Sequence, residues 1–404
     1  MRSKVSGPLA GITIIDMTSE LAGPYAARIM GDLGANIIKV EPLKGDGQRN
    51  SGPAHHRSMG SQFLHTNRSK RSIAVDLKNP EGRDVLLKLC KTADVFIHNV
   101  RPRAMARLKL TYADMAAINS RLVYCGICGY GQDGPYADMP AYDDVIQGMT
   151  AMPALQAQLT GGKPRYIPLN VVDRNSGLVF VQVVLAALLH RERTGEGQAV
   201  ELPLFETLAE YVLSEHLWGH TFDPPLAPMQ SLRVMNRWPL KTKDGYLCFW
   251  FARDEQYARF WDVIGRPELK TDERFTTRVN RNQHLVELLQ VIEPELLNKS
   301  STQWIELFRA ADLPVMPMHT LETLVEDPHL RQVGFIRTVD HPTEGRIVST
   351  SVPSKWSKSK PMNTRHAPSI GEHTEEILIE AGMDLDEVDR LVTSGAVYRA
   401  PKQV

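Results

Sequence analysis

Two rhythms of hydrophobic and polar positions run through the first half of the chain. Short runs of β-branched and apolar residues alternate with stretches whose apolar positions fall at helical spacing. Ile12-Thr13-Ile14-Ile15-Asp16-Met17 reads as a buried strand. Ala22 to Gly34 follows as a helix, with Tyr25, Ile29, Met30 and Leu33 on one face. Further strands are predicted at Asn36–Glu41, Ser72–Leu77, Val95–His98 and Leu122–Cys125. Asn79-Pro80 opens an amphipathic helix over Glu81–Thr92, and helical patterns cover Ala104–Leu108 and Ala113–Asn119. The stretch Lys44–His65 is rich in glycine and polar residues and predicts a long loop, with His55-His56 facing solvent. Lys70-Arg71 reads as a solvated turn. Strand–helix alternation of this kind builds a parallel sheet with crossover helices, whose ligands bind at the carboxyl ends of the strands. The loops after Met17, Glu41, Leu77, His98 and Gly126 are therefore the candidate binding loops.

The pattern changes near Pro224, where Pro224-Pro225, Pro228 and Pro239 read as a linker. A strand-like run, Gly245–Phe251, and helical patterns around Glu255–Ile264, Arg281–Leu297 and Thr302–Ala311 suggest a smaller second domain. A polar, proline-punctuated tract at 351–368 precedes a last helix at Glu372–Ala381.

Composition narrows the classes. Lys plus Arg and Asp plus Glu both number 47, so no global basic field exists to hold nucleic acid or an anionic membrane. Four cysteines in 404 residues are too few for a disulfide scaffold and suit a reducing compartment. Cys125-Gly-Ile-Cys128 lacks a second pair to complete a zinc site and sits where a strand runs out, not where a helix begins. The apolar run Ile12–Ile15 is too short for a signal peptide. The longest apolar stretch, Gly177–Leu189, falls short of the ~18 residues of a membrane span. A soluble, cytoplasmic protein is expected.

The common nucleotide and hydrolase signatures are missing: no Gly-x-Gly-x-x-Gly follows the first strand, and no Gly-x-Ser-x-Gly or His-Glu-x-x-His occurs. What remains is Asp173, in Asp173-Arg174-Asn175-Ser176-Gly177, placed by the pattern just before a long apolar helix. A carboxylate there has two readings. It is a helix cap, sharing that role with Asn175 or Ser176, or it is a nucleophile held at the positive end of the helix.

Taken in order, a set of short segments resembles the family III CoA-transferases, the CaiB/BaiF or formyl-CoA transferase-like family. The segments are Gly7–Ile12, Ala22-Gly23-Pro24, Asp32–Glu41, Ser69–Ile73, Asp76-Leu77-Lys78, Gly129–Pro135, Ala141-Tyr142-Asp143, Thr194–Gln198 and Gly371–Glu376. The resemblance covers nearly the whole chain. It implies an α/β fold in which a Rossmann-like, parallel-sheet large domain is built from both chain ends, here 1–224 and 331–404. A smaller middle domain spans 225–330, and the dimer is interlocked.

The resemblance places the family's nucleophilic aspartate on Asp173. It implies CoA transfer from an acyl-CoA donor to a carboxylic acid acceptor through an aspartyl anhydride and an aspartyl-CoA thioester, with no metal. Acylating a carboxylate gives an activated anhydride, whereas a serine ester would be too stable to pass CoA onward. CoA contacts carry over to Leu21 and Ala22, to Val75, Asp76, Leu77 and Lys78, to Asn99, Val100 and Arg101, to Arg107 and to Tyr142. Lys78, Arg101 and Arg107 suit CoA phosphates, and backbone N–H groups at Gly177 suit a developing oxyanion.

Leu21 stands where formyl-CoA transferases carry a polar side chain, and their glycine-rich substrate loop maps to Phe251–Asp254, which has no glycine. The resemblance therefore does not extend to formyl or oxalyl specificity. Arg253 is a candidate partner for a distal carboxylate. A 2-methylacyl-CoA racemase, the rival chemistry, needs a histidine immediately before Asp143, and Tyr142 stands there. A non-catalytic CoA-binding subunit is the second rival, and it would leave Asp173 idle.

Overall fold

A computed structural model describes residues 7–229, 238–361 and 365–401. Positions 230–237 of the linker and 362–364 of the later polar tract lie outside the described residues. The chain divides into two compact units. One comprises Met1–Pro153, Tyr166–Val212 and His329–Val404; the other comprises Ala154–Arg165 and Leu213–Pro328.

The first unit is organised by β1 (Thr13–Met17), β2 (Asn36–Glu41), β3 (Lys70–Val75), β4 (Val95–His98), β5 (Val123–Cys128) and β6 (Ala199–Pro203). They pair in parallel in the order β3-β2-β1-β4-β5-β6, and the terminal strand Val397–Tyr398 adds antiparallel beside β3. This is the doubly wound strand order, with its reversal between β1 and β4. The arrangement arises without a Gly-x-Gly-x-x-Gly fingerprint after β1. Both faces are covered, as the near-continuous apolar strands require. Ile14, Ile37, Val95, Ile97 and Val123 pack against α1 (Ala22–Asp32) and α8 (Val171–Thr194). On the other face, Ile15, Ile38, Val40, Phe96 and Tyr124 meet side chains of α3 (Pro80–Cys90), α4 (Pro102–Leu108), α5 (Tyr112–Ala116) and the C-terminal helices Thr374–Glu380 and Leu385–Thr393.

Several expectations are corrected. The long loop contains α2 (Ser61–Asn67), held by tertiary contacts and not by an apolar stripe: Phe63 is buried under the Arg49 guanidinium, 3.9 Å from the ring centroid. β3 begins at Lys70, and the solvated turn predicted there does not exist, because Lys70 is fully buried and Arg71 nearly so. Their carboxylate partners, Asp16 for Lys70 and Glu376 and Glu380 for Arg71, are remote in sequence. β5 runs on through Cys128, so Cys125 and Cys128 fall on opposite faces of a strand. Burial pushes both thiols up to about 12, which leaves no reactive thiolate.

α8 is 24 residues long and reaches six residues upstream of the apolar stretch that announced it. Its length and apolarity would suffice to cross a membrane. In this fold the stripe Val172, Ser176, Phe180, Val184, Leu188 is buried against α1 and the sheet. The connecting helices are α6 (Asp143–Met149), α7 (Met152–Thr160) and α9 (Leu204–His216), and a hairpin pairs Ile336–His341 with Gly345–Thr350.

The second unit has its own aromatic core. Of the strand-like run, only Tyr246–Cys248 pairs; Phe249 and Phe251 turn inward and stack 5.4 Å apart against Phe260 and Phe308. Arg253 is the exposed residue before the helix Asp254–Val263, and Ala252 beside it is also exposed.

Candidate active site

Asp173 is the third residue of α8, not the residue before it. The helix start at Asn170 carries no side-chain cap. The anion serving the free amides comes from a different element. The Asp173 N–H donates to Asp143 Oδ2 at 3.0 Å, and Gln147 Nε2 donates to Asp143 Oδ1 at 2.6 Å. Gln147 Oε1 in turn accepts the Ile167 N–H at 2.9 Å. Asp143, the first residue of α6, thus anchors the α8 terminus, and the Asp173 side chain does not act as the cap. Gly177 lies in the second turn, where amides bond to carbonyls four residues back, so it is not the helix start and offers no free N–H.

The Asp173 carboxyl is half-buried. Burial, and then the neighbouring Asp143 carboxylate, push its pKa up to about 6; the Asn170 side-chain hydrogen bond and Arg174 pull the other way. Glu20 adds to the rise, and its own carboxyl is raised by burial and by Asp46. Among the described residues, no lysine or arginine forms an ion pair with Asp173.

α8 approaches α1 unusually closely because residue 177 is glycine. A Cβ there would sit 2.9 Å from the Ala22 carbonyl oxygen and 2.9 Å from Tyr25 Cδ1. The contact sets the first turn of α8 beside the first turn of α1, which begins at Leu21 and Ala22, both buried. Glu20, immediately before, has a left-handed backbone (φ 65°), a conformation that non-glycine residues keep only where the surroundings impose it. Tyr25 lies under two guanidiniums, Arg174 at 4.4 Å and Arg28 at 4.9 Å from its ring centroid.

The remaining residues expected to contact CoA lie along the same edge of the sheet. Val75 is the buried last residue of β3. Asp76 and Leu77 are half-buried, and Lys78 is exposed, its N–H donating to Asp76 Oδ1. Asn99 follows β4 and clasps the loop after β1: its Oδ1 accepts the Ser19 N–H at 3.0 Å and its Nδ2 donates to the Ser19 carbonyl at 2.8 Å. Val100 is half-buried, Arg101 is the residue before α4, and Arg107 is exposed in the last turn of α4. Tyr142 is 72% exposed and precedes Asp143 directly. Leu21, Ala22, Tyr142 and Asp173 therefore gather around the first turns of α1 and α8. Asn99–Arg101 joins them through Ser19, while Val75–Lys78 lies two strands from β1, tied to the C-terminal segment by the Asp76 N–H to Ala396 carbonyl bond. Asp143, Asn170 and Glu20 had not been singled out by sequence reasoning. The one available signal was Asp143 standing inside the Ala-Tyr-Asp segment.

Beneath this edge lies a buried ion network. Lys70 Nζ donates to Asp16 Oδ2 (2.9 Å), to Asn67 Oδ1 (2.8 Å) and to the Pro24 carbonyl in α1 (3.0 Å). Lys39 pairs with Asp46 at 2.8 Å, and Arg49 forks onto both oxygens of Glu41 at 2.6 and 2.8 Å. Burial pulls the Lys70 ammonium down to about 8 even with Asp16 against it.

Comparison with known proteins adds a second line. The family model for CoA-transferase family III matches residues 9–374. The chain is 31% identical to the succinyl-CoA:glutarate CoA-transferase of Mus musculus, covering 96% of this chain and 90% of that protein. It is 32% identical to the succinate–glutarate CoA-transferase of Agrobacterium fabrum, covering 96% and 98%. The solved structure of a CAIB/BAIF family protein from Brucella suis superposes with a TM-score of 0.80 at 28% identity, over 93% of this chain and all of that one.

Proposed function

The chain belongs to CoA-transferase family III, and from that premise we propose that Asp173 carries CoA from an acyl-CoA to a carboxylic acid through covalent intermediates. The chain is an enzyme of this family, whose members use CoA thioesters as co-substrates and carboxylic acids as acceptors. The observation that carries the proposal is the state of Asp173. It is half-buried, raised to about 6 beside Asp143 although Arg174 pulls the other way, and among the described residues it is ion-paired to no lysine or arginine. Such a carboxylate is ionised at neutral pH yet poorly stabilised by its surroundings, which suits a nucleophile.

In the first step a carboxylate oxygen of Asp173 attacks the thioester carbonyl; the C–S bond breaks, leaving the aspartyl anhydride and CoA thiolate. The thiolate attacks the Asp173 carbonyl and releases the donor acid, forming the aspartyl-CoA thioester. The acceptor carboxylate attacks that thioester, expelling the thiolate and forming a second anhydride. The thiolate then takes the acceptor acyl group and frees Asp173. The first amides of α8 are already engaged, with Val171 bonded to Leu169 and Asp173 to Asp143. The oxyanion donors are therefore better sought in Ala22 and Gly23, whose N–H groups open α1 and have no intrahelical partner. Lys78, Arg101 and Arg107 hold the CoA phosphates; truncating Lys78 or Arg107 should weaken CoA binding roughly ten- to a hundred-fold by calorimetry.

The relatives' named substrates favour short dicarboxylic acids as donor and acceptor. Family membership also favours an interlocked homodimer; a folded, active monomer in sedimentation at nanomolar concentration would overturn it. The decisive test of the chemistry is mass spectrometry of enzyme quenched with acyl-CoA, followed by hydroxylamine. A hydroxamate on Asp173 is expected, and turnover with the label elsewhere would overturn the proposal.

A further inference from the structure

We infer that Arg174 anchors the far carboxylate of a dicarboxylic acyl group and so determines substrate specificity, an inference that rests on the chemistry proposed for Asp173. Arg174 follows Asp173 on the first turn of α8 and is exposed. Its guanidinium lies over the Tyr25 ring at 4.4 Å. Among the described residues it makes no hydrogen bond or ion pair, in contrast to the arginines around it. Arg28, over the same ring, is held by Asp32 at 2.9 Å, and Arg68 is held by Asp32 and Ser349. Stacking on a ring fixes the plane of a guanidinium and leaves its N–H fork available to a carboxylate.

The surroundings supply the direction. The Asp173 carboxyl is flanked from α6 by Asp143, whose charge repels a second carboxylate. On the α1 side Arg28 and Arg68 share the Asp32 carboxylate and Glu20 adds a negative charge before the helix, so Arg174 is the guanidinium left without a carboxylate partner among the described residues. His65 is held below its usual value first by burial and then by Arg68, Arg174 and Arg28, which all act on the same spot. A diacid with one carboxyl reacting at Asp173 therefore meets its counter-charge in Arg174. Arg174 belongs to the unit that holds Asp173, whereas Arg253 belongs to the other unit.

The test compares four- and five-carbon diacids with the matching monoacids as acceptors, in the wild type, Arg174→Gln and Arg174→Lys. The wild type should favour the diacids. Arg174→Gln should lose roughly ten- to a hundred-fold in kcat/KM for diacids, mainly through KM, and less than about three-fold for monoacids. Arg174→Lys should recover part of the loss. An equal loss on both acid classes would assign Arg174 to CoA binding or to packing and overturn the inference, as would no loss at all or a wild-type preference for monoacids. The Asp173 adduct is read separately. Its absence in the wild type would strike the underlying chemistry, and its presence with no change in acid preference would strike Arg174 alone.

Discussion

Two groups of carboxylates lie near the carboxyl edge of one sheet, and they are treated in opposite ways. Asp16, Glu41 and Asp46 are buried, and each meets a buried cation: Lys70, Arg49 and Lys39. Asp173 is less buried, yet its nearest charged hydrogen-bonded neighbour is another carboxylate, Asp143, held against its own backbone N–H. In the first group the field holds charges in place. Burial pulls the Lys39 pKa down, but Asp46, Asp16 and Glu41 together hold it above the usual value. In the second group the field loosens a charge, raising Asp173 to about 6. The matched network fixes the loops after β1 and β2, since Lys70 reaches the Pro24 carbonyl and Lys39 the Thr18 carbonyl. The mismatched pair leaves a half-buried carboxylate whose charge is poorly compensated, as the proposed nucleophile requires. The proposed functional carboxylate differs from the structural ones in having no ion-paired lysine or arginine among the described residues, not in carrying more charge.

The largest effect that would break this contrast is at Asp173. Asp173→Asn should lower CoA transfer at least about a thousand-fold in a coupled assay. It should also raise the thermal midpoint at about pH 7.5. The sign follows from the raised pKa: the unfolded chain ionises this group at lower pH than the fold does, so ionisation opposes folding above the unfolded value, and an amide removes that opposition. A variant that keeps near-normal turnover would put Asp173 with the structural carboxylates.

Next comes the matched network. Asp16→Ala removes the partner of fully buried Lys70 and the acceptor of both Thr18 hydrogen bonds. Breaking one side of a buried pair is expected to destabilise by about 3–5 kcal/mol in urea unfolding. A change under about 1 kcal/mol would show that the network is not what holds this edge.

A smaller effect is expected where the second turn of α8 meets the first turn of α1. Gly177→Ala drives a methyl to 2.9 Å from the Ala22 carbonyl oxygen. Overpacking by about 1–3 kcal/mol is partly offset by the roughly 1 kcal/mol better helix propensity of alanine. Stability should therefore fall little, while transfer falls about ten-fold as Asp173 shifts relative to α1.

The smallest effect is a shift in pH dependence. Activity should rise with pH through about 6 as Asp173 ionises. Asp143→Asn removes the like charge, so the acid limb of kcat/KM should move to lower pH. A limb that stays in place would show that burial alone sets the Asp173 value.

Much of this edge was legible along the chain. The β-branched runs gave β1, β2 and β4 within a residue at either end, because strands buried on both faces must be continuously apolar. The approach of α8 to α1 was not legible, since Gly177 looked like a helix opening and its close contact with Ala22 involves residues 155 positions apart. Nor was α2, whose one buried apolar residue is Phe63 and whose support comes from Arg49.

The sequence by itself determined the alternating sheet, the carboxylate at the head of the long apolar helix and, through the order of its short segments, the family. These depend on local periodicity and on residue types at fixed spacings. Only the tertiary structure decided which charges are neutralised. Lys70-Arg71 read as a solvated pair because Asp16 and Glu376 lie 54 and 305 residues away. From its local sequence Asp173 reads first as a cap, and only the family resemblance makes it a nucleophile, because the residue that takes the capping role, Asp143, lies 30 residues earlier. A side chain's charge is written in the sequence, but its energy depends on burial and on partners brought from elsewhere in the chain, and folding alone supplies both.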